Sequence, residues 1–484
     1  MAADTVAAMV NPTRHLESRW AALPVLLAGA FMVVLDFFIV NVALPSIATD
    51  LGAGESSLEW VVAGYGLSFA AFLITAGRLG DEIGRRRVYT IGLGMFTVAS
   101  AACGLAPSPT TLVLARVAQG VAGAIVMPQV LSIIGVTYMN GDYVRALSAY
   151  GVALGLAAVG GQVIGGALVE TDVAGLGWRG CFLINVPIGL VAMLTAPRLV
   201  PESRAPRRSS LDVAGSVLLA AGLVAILLPL IEGRQHGWPA WTWASLAAAP
   251  AILGAFVAHE VRVRRGGRTP LLELGLFRKR AFTAGLMTQL FLAATQASFF
   301  VYLALYLQEG RGLDPLEAGL VFTILAVAYV AVSGPALGLT ERHGRAVVAV
   351  GGAALAFGLG LLAVATADVG VDGSIVVLLP GLVLVGAGIG LCFTPLTSSV
   401  LGGIDPAQVG AASGAMSTMQ QVGYAVGVAI TGVIFFGSGA DLGHAFAVSL
   451  VELAALAAGI VAMTRLLPRP RDAAPAAAPA GASA

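Results

Sequence analysis

From Ala21 to about Ala48 the chain carries a single charged side chain, Asp36. An α-helix rises ~1.5 Å per residue, so a run of this length can cross the ~30 Å apolar layer of a bilayer. Runs of the same kind recur near residues 60–80, 88–107, 110–136, 144–169, 180–197, 211–231, 241–260, 281–307, 315–339, 346–367, 375–399, 409–436 and 442–466. With the first, near 21–46, they make fourteen. The least distinct boundaries fall at 128–146, interrupted by Pro128 and Asn140, and at 436–444. Only 27 basic and 26 acidic residues serve all 484 positions. That is 11% charged, against the ~25% that a water-facing surface ordinarily uses. The fold class that follows is an all-α integral membrane protein with 14 transmembrane helices. The first run is longer than a signal-peptide core and lacks a small-residue cleavage site, so it is expected to remain as the first span.

The basic residues test the count independently. Of the 27, 23 fall in the N-terminal tail, in alternate connections and after the last span, whereas only Arg179, Arg234 and Arg311 lie in the opposite loops. Arg116 lies within a span. The acidic residues divide evenly between the two sides. Basic bias without acidic bias is the positive-inside pattern, which puts both termini in the cytoplasm. No soluble domain interrupts the spans. The longest basic connection covers about 261–280, and the Pro- and Ala-rich end of the chain is read as a disordered tail.

Several function classes drop out. No concentrated basic face suits nucleic acid. Cys103, Cys181 and Cys392 form neither a disulfide framework nor a metal-ligand spacing. No phosphate-cradling G-x-x-x-x-G-K-[ST] loop, H-E-x-x-H or G-x-S-x-G occurs, and the five histidines are scattered at loops or span ends. Neither enzyme activity, cofactor nor metal is expected, and transport without a nucleotide site is passive or driven by an ion gradient.

Polar residues inside spans are expensive and are read as functional first. Asp36 is too deep to snorkel and is expected to exchange a proton or meet a cation. Arg116 is expected to pair with a carboxylate or with helix carbonyls, either structurally or in coupling. Glu452 is open between a second proton site, a locking hydrogen bond and a lipid-depth residue. Asn41, Tyr65, Gln119, Gln289, Gln296, Gln420 and Tyr424 are candidates to line a central cavity, with Phe299 as an aromatic wall beside Phe300, Tyr302 and Tyr306. Single amides are more often helix–helix glue, but the set implies a polar path. The glycines Gly151, Gly155, Gly160, Gly161, Gly165 and Gly166, and the run Gly386-x-Gly388-x-Gly390, signal either tight packing or a smooth rocking surface.

Between the second and third spans, Gly77-Arg-Leu-Gly-Asp81-Glu-Ile-Gly84-Arg85-Arg-Arg resembles the signature loop of the major facilitator superfamily. Glu341-Arg-His-Gly344-Arg345 is similar to its degraded repeat. A finer likeness is to the fourteen-helix drug:proton antiporters of that superfamily. Leu35-Asp36 through Asn41 to Pro45 resembles their first-helix motif, with Phe38 in place of the usual Thr. Trp60 through Tyr65 and Arg116-Val-Ala-Gln119-Gly120 resemble the motifs of the second and fourth helices. Gly161-Gln162-Val-Ile-Gly165-Gly166 is similar to the antiporter motif of helix five, with Gln162 where many members carry Pro.

The resemblance implies a major facilitator fold. Two six-helix bundles, residues 21–197 and 281–466, would flank an inserted helix pair at 211–260, with cytoplasmic tails at 1–20 and 467–484. It implies proton-coupled efflux of amphipathic organic compounds such as antibiotics, drugs or dyes across a bacterial cytoplasmic membrane. Asp36 and Arg116 would couple the proton, and Asp81 with Arg85 would gate the cytoplasmic face. The expected partners are a small organic substrate, protons and lipid, with the chain acting as a monomer. Transport of a specific metabolite, or a non-transporting membrane sensor, stays open as an alternative.

Overall fold

The computed structural model describes residues 12–138, 141–204, 212–267, 270–272, 274–401, 404, 409–439 and 441–467. Most of the two expected tails, residues 1–11 and 468–484, lies outside the described residues. Fifteen α-helices and no strand occur among the described residues. In chain order they are α1 Pro12–Leu51, α2 Glu55–Ile83, α3 Arg85–Gly104, α4 Pro109–Thr137, α5 Gly141–Thr171, α6 Gly180–Leu183, α7 Asn185–Leu199, α8 Val213–Glu232, α9 Ala240–Arg265, α10 Arg280–Leu305, α11 Pro315–His343, α12 Arg345–Val369, α13 Leu379–Leu401, α14 Val409–Gly437 and α15 Leu442–Thr464. The short α6 and α7 together make one span.

Thirteen helical segments among the described residues are long and apolar enough to cross a membrane, one fewer than expected. The difference is α3. It has 20 residues, but it opens on Arg85, Arg86 and Arg87 and carries Thr90, Thr97 and Ser100, which dilute its hydropathy. Its buried face includes Tyr89, Phe96 and Ser100, while Ile91, Met95 and Val98 are exposed. Exposed apolar residues of this kind are what a helix bordering lipid requires.

Local chemistry sets the helix ends. Ser108 caps α4, accepting from the Thr111 amide at 3.3 Å, with Pro109 at the first helical position where its missing N–H costs nothing. Asp441 caps α15 and Asp212 caps α8 in the same way. Gly84 has φ 123°, so α2 can turn directly into α3, a conformation an L side chain rarely adopts. Pro128, which looked like an interruption in the sequence, sits inside an unbroken α4.

Two compact units divide the chain. The first comprises Met1–Leu271 with Leu307–Phe322, and the second Leu272–Tyr306 with Thr323–Ala484. Helices α8 and α9, the pair that the resemblance reads as inserted, belong to the first unit. The units repeat a device. In the first, Arg86 at the start of α3 donates to the carbonyls of Pro197 (3.2 Å) and Val200 (3.3 Å) at the end of α7. In the second, Arg345 at the start of α12 donates to those of Arg465 (2.7 Å) and Leu467 (2.9 Å), after α15. In each unit an arginine of a signature loop ties down the end of a later helix, α7 in the first and α15 in the second.

Glycine spacing decides which helices approach closely. A Cβ at Gly161 would lie 3.2 Å from the Ile39 amide, and one at Gly165 would lie 2.9 Å from the Ile39 carbonyl, so α5 rests directly on the backbone of α1. Gly388 similarly meets Gly351 and Leu355 of α12, while Gly390 meets Tyr329 of α11. Gly151 and Gly155, by contrast, have nothing within 4 Å. The run on α5 is thus tight packing at one end and open at the other. Gly165→Val is expected to cost ~1–3 kcal/mol by overpacking, read as a lower melting temperature in detergent. Gly155→Ala, which meets no neighbour, is expected to stay within about 0.5 kcal/mol of the parent.

Candidate functional site

Five spans, α1, α2, α3, α4 and the α6–α7 span, deliver one enclosed polar cluster to the interior of the first unit. Asp36 of α1 and Arg116 of α4 are both fully buried and form an ion pair through Arg116 Nη1 and Asp36 Oδ2. Arg116 also donates from Nε to the Val61 carbonyl of α2 at 2.9 Å and from Nη1 to Gln119 Oε1 at 2.8 Å. Its guanidinium lies 4.3 Å from the centroid of the Tyr65 ring, a cation–π contact that desolvation strengthens. The Tyr65 hydroxyl in turn donates to the Val33 carbonyl, 3.1 Å away.

The other carboxylate oxygen has its own donors. Gln119 Nε2 approaches Asp36 Oδ1 at 2.7 Å and Asn185 Nδ2 approaches it at 2.8 Å. Both amides also donate to Ser100 Oγ at 3.0 Å, and Ser100 donates to the Phe182 carbonyl at 2.8 Å. A buried charge survives only when paired and hydrogen-bonded. Here the carboxylate has Arg116, Gln119 and Asn185, and the guanidinium has a carboxylate, a carbonyl, an amide and an aromatic face. The spacing in α4 explains part of this, because residues three apart share a helix face and Gln119 reaches the same partner as Arg116.

The sequence pointed to Asp36, Arg116, Tyr65 and Gln119 separately, and the fold brings them together. Ser100 carried no sequence signal, since a serine in an apolar helix is usually bonded to its own backbone. Asn41 and Gln162 lie elsewhere on the packed α1 and α5. They are 2% and 1% exposed, and neither the Asn41 Oδ1 nor either Gln162 side-chain atom has a hydrogen-bond partner.

The remaining candidates lie in the second unit. Gln420 donates to the Tyr424 hydroxyl at 2.9 Å, and Tyr424 donates to Gln296 Oε1 at 3.4 Å, linking α14 to α10. Gln289 is buried on α10. Glu452 accepts from Thr431 Oγ1 at 3.1 Å. Phe299 is fully buried and stacks on Phe446, with centroids 6.5 Å apart. The Tyr302 hydroxyl is spent on the Val428 carbonyl at 2.9 Å and that of Tyr306 on the Gly370 carbonyl at 2.8 Å. This aromatic set joins helices in the core. The reason is geometric, because the small faces of α10 and α14 at Ala293, Ala294, Gly423 and Gly427 let the backbones close up and leave the rings inside.

In the signature loop Asp81 and Arg85 pair at 2.8 Å one helical turn apart. Gly77 faces Pro128, and Gln129 fills the space beside Gly80 while donating to the Ala76 carbonyl at 2.9 Å. A partner that the sequence did not reveal is the segment after α7. Glu202 accepts from the Arg86 amide at 3.0 Å, and the Ser203 carbonyl accepts from the Arg85 amide at 3.0 Å. The Glu202 carboxylate occupies the space that a Cβ at Gly84 would need.

A second charged cluster joins α2 to the inserted pair. Asp212 Oδ1 accepts from the Gly215 amide and faces His259 Nε2, each at 2.8 Å. Burial raises the Asp212 carboxyl, but the amide and His259 outweigh it and hold it below its ordinary range. Asp212, His259 and Glu260 could between them offer a metal ion three ligand atoms, all within 4.8 Å of one another. Arg78, however, already faces both carboxylates with a positive charge.

The family described as Major Facilitator Superfamily matches residues 26–428. The "Probable actinorhodin transporter" of Streptomyces coelicolor is 38% identical, over 93% of this chain and 79% of that protein. The cephamycin export protein CmcT of Amycolatopsis lactamdurans is 34% identical, over 96% and 95%. The multidrug resistance protein Stp of Mycobacterium tuberculosis is 34% identical, over 84% and 74%. Among solved structures, a POT family transporter in complex with 5-aminolevulinic acid superposes with a TM-score of 0.66 at 14% identity, covering 92% of this chain and 94% of that one. At that identity the likeness is one of fold.

Proposed function

The chain belongs to the major facilitator superfamily, and from that premise we propose that it exports amphipathic organic compounds, antibiotics foremost, in exchange for protons. The observation that carries the reading is the sealed Asp36–Arg116 pair. A proton on Asp36 removes the charge that Arg116 is paired with, while leaving the guanidinium buried beside Val61, Gln119 and Tyr65. The protonated and ionised cluster therefore favour different packings of α1 against α4. A proton gradient can bias two conformations only through such a difference.

The cargo class rests on the relatives. The CmcT protein is named for cephamycin export, and others are named for resistance to tetracenomycin C and puromycin. The membrane is the bacterial cytoplasmic membrane, with both termini on its inner side as the arginine distribution favours, and the chain works as a monomer. The Asp81–Arg85 pair latches the cytoplasmic face.

Everted vesicles holding an acid-inside pH gradient test this. Addition of substrate from a panel of cationic dyes and the antibiotics named above is expected to release protons in vesicles containing the protein. Absence of release across the panel, with the protein inserted, overturns the reading.

A further inference from the structure

Helix α2 supplies two of the groups that hold Arg116, the Val61 carbonyl and the Tyr65 ring, before it enters the signature loop. The inserted pair is fastened to α2 at both ends. At one end Arg234 pairs with Glu55, Trp60 Nε1 donates to Glu232 Oε1 at 2.9 Å, and Ser56 donates to Gln235 Oε1 at 3.1 Å. At the other end the hydroxyls of Thr75 and Ser216 touch, and Arg78 donates to the Pro270 carbonyl while its charge faces Glu260 and Asp212.

That second fastening is built into the interior. Glu260 is fully buried, and Asp212 and Arg78 are 8% and 9% exposed. Gly215 makes the convergence possible, because a Cβ there would stand 2.8 Å from both Asp212 Oδ2 and Glu260 Oε1. His259 holds Asp212 from the side. Four segments thus meet at one charge network: the end of α2, the cap of α8, the end of α9 and the connection at Pro270. Opening it would strand buried charges, which is costly. A joint of that kind stays shut while its surroundings move.

We propose that the inserted pair α8–α9 is a splint that travels with α2 as one body, and that Arg78 is the positioning residue that locks it. The pair is then neither a spacer nor a hinge. It fixes the axis of α2, and so the Val61 carbonyl and Tyr65 ring against which Arg116 is set. Arg78, inside the signature loop, is committed to the inserted pair, in contrast to Asp81 and Arg85, which are committed to each other. The consequence for transport rests on the exporter reading above, whereas the mechanical claim does not.

The test is a Thr75→Cys/Ser216→Cys variant of the full chain in everted vesicles, closed by mild oxidation. The native cysteines Cys103, Cys181 and Cys392 are buried. An intramolecular cross-link is expected, and ethidium uptake by the cross-linked protein is expected to equal that of the reduced protein. Loss of uptake on cross-linking, restored by dithiothreitol, shows that α8 slides against α2 and overturns the splint. Failure of an inserted protein to cross-link overturns it too. Adding Arg78→Ala to the same variant is expected to slow cross-linking by at least about tenfold, since one partner of a buried network is gone. Arg78→Lys, which keeps the charge, is expected to restore most of the rate. An unchanged rate in Arg78→Ala removes Arg78 from the role. Cross-linking is read by gel shift and needs no transport, so a parent that moves no ethidium counts against the exporter reading and leaves the splint to be judged on cross-linking alone.

Discussion

Asp36→Asn is expected to reduce substrate-driven proton release in everted vesicles to the level of vesicles lacking the protein. The replacement keeps the shape of the side chain and one acceptor oxygen, so the bonds from Gln119 and Asn185 have a place to go. What it removes is the carboxylate charge that pairs with Arg116 and is lost when a proton binds. An amide cannot ionise, so the two packings of the cluster are no longer selected by the gradient. Substrate binding is expected to persist, because the pair is sealed among α1, α2, α3, α4 and α7 and offers no exposed surface. Insertion is checked by gel filtration in detergent. Proton release that survives in a well-inserted Asp36→Asn protein would remove Asp36 from the coupling role, and the pair would then be a structural lock.

Arg116→Ala carries the largest expected cost in stability. The substitution strands an ionised Asp36 at zero exposure, and removing one member of a buried pair typically costs ~3–5 kcal/mol. It also empties the space over the Tyr65 ring and frees the Val61 carbonyl. Arg116→Lys keeps the charge but cannot present a planar fork to Asp36, Gln119 and Val61 at once, so an intermediate loss is expected. Thermal unfolding in detergent separates the three proteins. The Asp36→Asn/Arg116→Ala double variant is expected to recover part of the loss, because it leaves no unpaired charge. If Arg116→Ala melts with the parent, the guanidinium is not holding these helices together.

Much of the site was legible in the sequence because lipid makes polarity informative. A carboxylate at position 36 and a guanidinium at position 116 are conspicuous in apolar runs, and each demanded a partner. That they are each other's partner was not legible, since 80 residues separate them and no local pattern sets the crossing of α1 and α4. Gln119 was visible as a polar residue on the Arg116 face. Ser100 and the donor role of Asn185 follow only from the packing of α3 and α7 against α1. The aromatic residues are ambiguous for the opposite reason. Phe299, Tyr302 and Tyr306 suit a ligand wall or a helix joint equally well, and small residues on the facing helices decided for the joint.

What the sequence determined alone was the solvent, the class of fold and the uneven sidedness of charge, because each is a sum over many residues and tolerates local error. The span count was less secure. Three arginines and a few hydroxyls on α3 leave it short of the hydropathy of its neighbours, although it packs among them. Tertiary structure decided which charges meet. It joined Asp36 to Arg116, gave Arg78 to the inserted pair, and assigned that pair to the first unit. The physical reason is common to all three. Hydropathy is additive along a chain, but a buried charge is stable only beside a partner, and partners are chosen by the close approach of helices far apart in sequence.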